Sequence, residues 1–325
     1  MYPTKLIPAV KAHLWGGKQL KEKFEIETAD DILAEAWMLS CNPSGAAIIP
    51  DGSLKGKSLE QVIFGDAESA IGSCFGISRF FPVLVKLIDA KKDLSVQVHP
   101  ADNYALLHEN SYGKAEIWYI LDADEGACVY AGFNRKINKQ ELEESIGNGT
   151  IMEFLKKIPV KKGDFISILP GTIHAIGAGV LLAEVQQNSD ITYRVYDFDR
   201  SGPDGMPREL HIEKALDVVN FESNEDCLRV PDCEKGIGFS RENVSMLPYF
   251  EAYVYHVDET VSLSCDEDSF HSVVVLDGGG VISFDDHFND INTKKGESVF
   301  IPAGTGKYSI RGNCSFLLTY AGKSK

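Results

Sequence analysis

Long apolar runs are missing: no stretch of the 325-residue chain approaches the roughly 20 residues that a membrane helix needs. The opening Met1-Tyr2-Pro3-Thr4-Lys5 is followed by no signal-peptide core, so the expected location is the cytoplasm. Cysteine is scarce and unpatterned. The seven residues Cys41, Cys74, Cys128, Cys227, Cys233, Cys265 and Cys314 are odd in number and contain no C-x-x-C pair. That argues against a disulfide framework or a thiolate zinc site and makes them small hydrophobes of the interior. Basic charge is also short. Lys and Arg number 32 against 48 Asp and Glu, a net charge of −16. Nucleic acid and anionic membranes are poor partners for such a surface. An anionic substrate would need a local basic pocket set against an unfavourable overall field.

The rest of the composition, 44% hydrophobic and 25% charged, is that of a globular protein long enough for two domains. Most of it reads as short strands: 80–88, 94–99, 116–121, 128–133, 165–169 and 180–186. Helices are few. The spacing predicts them over 101–109, 138–148 behind an Asn138 cap, 150–157 and 210–219. The stretch 222–238 has weak periodicity and reads as a linker.

An internal echo runs through the chain. Lys162-Gly163-Asp164-Phe165-Ile166-Ser167-Ile168-Leu169-Pro170-Gly171-Thr172-Ile173-His174 recurs as Lys295-Gly296-Glu297-Ser298-Val299-Phe300-Ile301-Pro302-Ala303-Gly304-Thr305-Gly306-Lys307. Upstream, Glu116 to Asp122 is echoed by His271 to Asp277. This grammar predicts a mainly β protein of two tandem jelly rolls, each a double-stranded β-helix. The expected units are 1–235 and 236–325. In the second copy Lys307 stands where His174 stood and no Gln-x-His pair precedes it, so that copy is expected to be metal-free.

The first copy carries the chemistry. In Val96-Gln97-Val98-His99-Pro100 the side chains of Gln97 and His99 share one face of a strand. Glu116 follows in Gly113-Lys114-Ala115-Glu116, and His174 in Pro170-Gly171-Thr172-Ile173-His174. Two imidazoles and a carboxylate with an amide beside them suit a divalent metal with open positions.

Other segments join these: Leu14-Trp15-Gly16-Gly17, Ala34-Glu35-Ala36-Trp37-Met38-Leu39-Ser40, Leu84 to Ala90, and Glu184 to Asp197. In this order they resemble the type I phosphomannose isomerases of the cupin superfamily, in the short bacterial form. The resemblance spans most of the chain. It implies cupin barrels and one Zn²⁺ held by His99, Glu116 and His174, with Gln97 as a candidate fourth ligand. It implies that Arg194 is catalytic and that Lys114 and Lys86 lie in the pocket. It further implies interconversion of mannose 6-phosphate and fructose 6-phosphate.

Independent chemistry is compatible. Moving a carbonyl between C1 and C2 leaves negative charge on oxygen, which a metal and a guanidinium stabilise. A lysine beside the metal can act as an acid or base. Lys86 stands inside an apolar strand, where an unpartnered ammonium is costly. Arg194 has a structural alternative, an ion pair with Asp190 or Asp197. Glu35 and Trp37 read as a core network. His13, His108, His211, His256, His271 and His287 read as packed or surface groups. Two other functions use the same ligand set: an Fe²⁺ cupin dioxygenase, and a sugar-binding cupin without catalysis. The expected oligomeric state is a monomer.

Overall fold

The computed structural model describes residues 1–65, 70–73, 81–202, 205–222, 227–245, 247–285 and 288–322. Cys74, Phe80, His287 and the Ser223-Asn224-Glu225-Asp226 part of the expected linker lie outside the described residues. Three antiparallel sheets make the frame. A seven-stranded sheet runs in the order Leu228–Arg229, Phe165–Ile168, Glu116–Ala123, Val180–Gln187, Val83–Ala90, Glu35–Leu39 and Ala9–Lys11. A five-stranded sheet runs Tyr193–Tyr196, Val96–Val98, His174–Ile176, Cys128–Phe133 and Leu155–Pro159. The C-terminal sheet has nine strands, built around the long pair His271–Phe284 and Gly306–Ala321.

The seven-stranded sheet lies between the other two, which explains why its central strands are apolar without alternation. Every residue of Val83–Ala90 and Val180–Gln187 is buried. On one face Trp118, Ile166 and Leu182 pack against Val129, Ala131 and Ile176 of the five-stranded sheet. On the other face Val85, Phe165 and Leu181 pack against Phe250, Val254 and Leu276 of the C-terminal sheet. The outer side of the five-stranded sheet is covered by Leu142 and Ile146 of the helix Lys139–Gly147 and by Ala215 and Leu216 of Ile212–Val218. Asn138 caps the first of these helices through a full capping box with Glu141. Among the described residues no helix is long and apolar enough to cross a membrane.

The sequence echo is a structural repeat. In the first copy Glu116 pairs with Ile168 and Tyr119 with Phe165; in the second His271 pairs with Ile301 and Val274 with Ser298, the corresponding positions. The turns match as well. Gly163 N donates to Ile120 O at 2.9 Å, and Gly296 N to Val275 O at 2.9 Å. Both glycines sit at positive φ, 89° and 83°, where the turn needs them.

Two expectations are corrected. The segment 150–157 is not a helix: a short 3₁₀ turn, Ile151–Glu153, leads into the strand Leu155–Pro159. Ile151, Leu155 and Ile158 have helical spacing, but ladder pairing of Leu155 with Phe133 and Ile158 with Val129 overrides it. The linker region is also more ordered than expected. Leu228–Arg229 joins the seven-stranded sheet, and Asp232–Gly236 forms the exposed edge of the nine-stranded one. Thr4–Leu6, from the other end of the chain, also pairs into that C-terminal sheet, with Ser298–Ile301.

Candidate metal centre

The facing five- and seven-stranded sheets bring the candidate ligands together. Gln97 pairs in register with His174 on one side and Arg194 on the other. Glu116 opens its strand in the opposite sheet, in register with Gln186. Gly171 N donates to His99 O at 2.8 Å, tying the turn before His174 to His99. The ligand atoms of His99, Glu116 and His174 lie within 4.8 Å of one another, and all three residues are buried. His174 Nε2 is 3.4 Å from Glu116 Oε1, and His99 Nε2 is 3.5 Å from Oε2.

Hydrogen bonding fixes which ring nitrogen faces inward. His99 Nδ1 lies 2.9 Å from Ile191 O, and His174 Nδ1 lies 2.8 Å from Thr172 O. A carbonyl only accepts, so each Nδ1 carries the proton and each Nε2 turns a lone pair into the cluster around Glu116. Burial lowers the pKa of both rings, His174 to about 4 and His99 well below the usual value. Neutral imidazole is the metal-binding form. Among the described residues, Glu116 Oε1 is buried without a hydrogen-bond partner. Such an oxygen is costly unless a cation or donor compensates it. The donor set therefore fits a divalent ion. Gln97 stands beside it, with Nε2 3.3 Å from His174 Nε2.

Two lysines approach this cluster. Lys114 is buried; its Nζ is 2.9 Å from His99 Nε2 and pairs with Glu116. Its backbone is clamped. Gly113 N donates to Asp102 Oδ1 at 2.8 Å, Ala115 N to Gln187 Oε1 at 3.0 Å, and Gln187 Nε2 to Asp102 Oδ1 at 3.0 Å. Gly113 runs so close to Pro100–Asp102 that a Cβ there would meet backbone atoms at 2.6 Å.

Lys86 lies on a central strand, opposite Glu184 and Trp37. Its ammonium is 3.0 Å from Glu184 Oε1 and 3.9 Å from Glu35 Oε2. Burial alone would lower its pKa, but the Glu184 and Glu35 carboxylates outweigh that and leave it raised. Burial pushes Glu184 the other way; Lys86 and Lys114 overcome it and hold that carboxyl low, at about 2. The pair is thus ionised. Trp118 Nε1 donates to Glu184 Oε2 at 3.0 Å, and Trp37 Nε1 to Glu35 Oε2 at 2.6 Å. Glu116 is shifted upward by burial first and by Glu184 second.

Arg194 sits beyond Gln97. Its Nη1 donates to Glu209 O at 2.8 Å, while its buried Nε has no hydrogen-bond partner among the described residues. The alternative ion pairs are otherwise engaged. Asp197 is held by Arg200 and Arg208, and Asp190 accepts from Ser44 Oγ at 2.7 Å. Burial, then the neighbouring Arg208, lowers the pKa of Arg194, and a guanidinium keeps its charge nonetheless.

The structure thus gathers His99, Glu116, His174, Gln97 and Lys114 closely, with Lys86 one layer behind and Arg194 on the adjacent strand. Glu184 was missed as a site residue, although a lone carboxylate in Val180-Leu181-Leu182-Ala183-Glu184 could have flagged it as Lys86 was flagged. His13, set aside from sequence, stacks on Trp15 with ring centroids 5.4 Å apart and lies 3.8 Å from Glu35.

Comparison with known proteins places this geometry. A model of the type I phosphomannose isomerase catalytic domain matches residues 4–131, and one of the mannose-6-phosphate isomerase cupin domain matches 242–321. The probable mannose-6-phosphate isomerase GmuF of Bacillus subtilis is 36% identical over 98% of this chain and 99% of its own. The mannose-6-phosphate isomerase of Streptococcus mutans is 34% identical over 95% of each chain. The crystal structure of the mannose 6-phosphate isomerase from Bacillus subtilis superimposes with a TM-score of 0.90, at 33% identity, covering 98% of this chain and 99% of that one. The likeness extends along nearly the whole length and includes both matched regions, so the chain belongs to the type I phosphomannose isomerases, a family of aldose–ketose isomerases.

Proposed function

We propose that this chain interconverts mannose 6-phosphate and fructose 6-phosphate through an enediol(ate), with one Zn²⁺ held by His99, Glu116 and His174 and Gln97 as fourth ligand. The observation that supports the metal reading is the orphaned Glu116 Oε1 beside His174 Nε2, with His99 Nε2 beside the second oxygen of the same carboxylate. Such an ion supplies Lewis acidity at the sugar's carbonyl and hydroxyl oxygens. The protein's own groups do the rest. Lys114 is the buried amine at the ligand cluster, in position to exchange a proton with the substrate. Arg194 has N–H groups to spare for an oxyanion or phosphate. Lys86, pinned as a cation by Glu184, serves as a substrate contact and not as a base. Both Lys and Arg suit a sugar phosphate and have no evident use in dioxygen chemistry, which favours the isomerase over a dioxygenase.

We read the chain further as two tandem cupin units, 1–235 with the metal and 236–325 without it. Where the first unit has Glu116 and His174, the second has His271, bonded to Tyr308 Oη at 2.7 Å, and an exposed Lys307. The protein is read as a cytoplasmic monomer.

The test is coupled detection of fructose 6-phosphate formed from mannose 6-phosphate. Turnover should vanish on chelation and return with Zn²⁺, with about one equivalent of metal per chain. A folded, zinc-loaded sample without turnover would reject the substrate assignment.

A further inference from the structure

A cavity of about 250 Å³ opens in the seam between the seven-stranded and C-terminal sheets, away from the metal cluster. Strand alternation separates the two places. Glu116 and Trp118 face the metal side, while Tyr119 and Leu121 of the same strand line the cavity. Its floor is apolar, formed by Phe24, Tyr119, Leu181, Val254 and Leu276. Its rim is charged, with Lys23, Lys162 and Lys295 against Asp122 and Asp277.

These rim residues are related by the internal repeat. Asp122 corresponds to Asp277 and Lys162 to Lys295, so the same turn from each copy meets its counterpart across the seam. The pairing is not symmetric. Lys295 holds its own Asp277 at 3.1 Å. In the first copy Lys23 takes Asp122 at 2.6 Å instead. Among the described residues, Lys162 is left without an ion-pair partner within 4.0 Å. Three ammonium groups thus face two carboxylates over an apolar floor, on a protein whose net charge is −16. An excess of positive charge at this one place selects an anion, and the floor selects an apolar body. The volume admits one ring or a short alkyl chain with its acid group.

We propose that this seam is an accessory binding site for a small amphipathic anion, an aryl or short-chain phosphate or carboxylate, whose acid group pairs with Lys162. The ligand would lie against the back of the strands that carry Glu116 and Glu184.

Calorimetric titration of the full chain with phenyl phosphate tests this, using K162E and, as a control, K161E at the exposed neighbouring lysine. Saturable binding is expected, weakened about tenfold or more by K162E and less than about twofold by K161E. K162E should isomerise as the parent chain does when no probe is present. Binding that survives K162E, including binding confined to the sugar-phosphate pocket, overturns the proposal. So do equal losses in both variants, which report bulk charge alone, and the lack of saturable heat up to about 10 mM probe.

Discussion

Arg194 and Lys86 are both cations near the cluster, and their surroundings divide their roles. Lys86 is ion-paired with Glu184 at 3.0 Å and lies 3.9 Å from Glu35, so it offers a fixed charge. Among the described residues, Arg194 has a backbone carbonyl for Nη1 and no hydrogen-bond partner for its buried Nε. An unpartnered buried Nε on a half-buried guanidinium costs free energy that a bound anion would return. Arg194→Ala should therefore lower kcat by about 10² or more, in line with the loss of a preorganised donor to developing charge. Bound metal should stay the same, because Arg194 touches no candidate ligand atom; metal analysis of the purified variant checks this. A variant that turns over normally would remove Arg194 from the catalytic set. The sequence made Arg194 legible only through family resemblance. Its freedom from Asp197 depends on Arg200 and Arg208, whose approach to that carboxylate no local pattern announces.

At the scale of elements, ligand placement was legible because it follows strand periodicity. Gln97 on its strand and His99 just past the strand's end reach the same cluster, as alternation predicts, and the echoed residues of the two copies pair in matched register. The segment 150–157 failed for the opposite reason. Its apolar spacing at Ile151, Leu155 and Ile158 is helical, and pairing with a neighbouring strand overrode it. The clamp on Lys114 was illegible, since Asp102 and Gln187 are 85 residues apart and meet only through folding. This clamp carries a prediction. Gln187→Ala removes the acceptor for Ala115 N and the donor to Asp102, loosening the segment that aims Lys114 while its backbone bonds to Pro100 and residue 187 remain. Misplacing a reacting group by about 1 Å can cost up to 10²-fold, so kcat should fall about 10- to 100-fold. Metal content should be kept and KM should change less than kcat. Loss of metal together with activity would instead mean that Gln187 supports the ligand cluster as a whole.

For the whole molecule, the buried histidines set how stability responds to acid. His271, at the second copy's counterpart of Glu116, is 9% exposed and bonded to Tyr308 Oη at 2.7 Å. Burial lowers its pKa to about 4, with Asp266 pulling weakly the other way. The unfolded chain binds a proton on this ring below about 6.5, while the native state refuses it until about 4. Stability is therefore complete above the unfolded value and is lost as pH falls through that window, by about 3 kcal/mol for this one group. Glu184 acts in the same direction but lower, because its carboxyl is held at about 2 and begins to matter only below the ordinary carboxylate range. The windows are thus separable. The net charge of −16 shrinks on acidification, which relieves self-repulsion and opposes the loss, but equally so in any variant that leaves the acidic residues alone. Urea midpoints of chelator-treated protein at pH 7.5 and pH 5 isolate the His271 contribution, since metal release then plays no part. His271→Gln cannot titrate and keeps a polar partner for Tyr308, so its midpoint should fall clearly less between the two pH values. An equal fall in parent and variant would show that His271 takes up its proton while folded, and would shift the acid sensitivity to the His99–His174 pair at the metal centre.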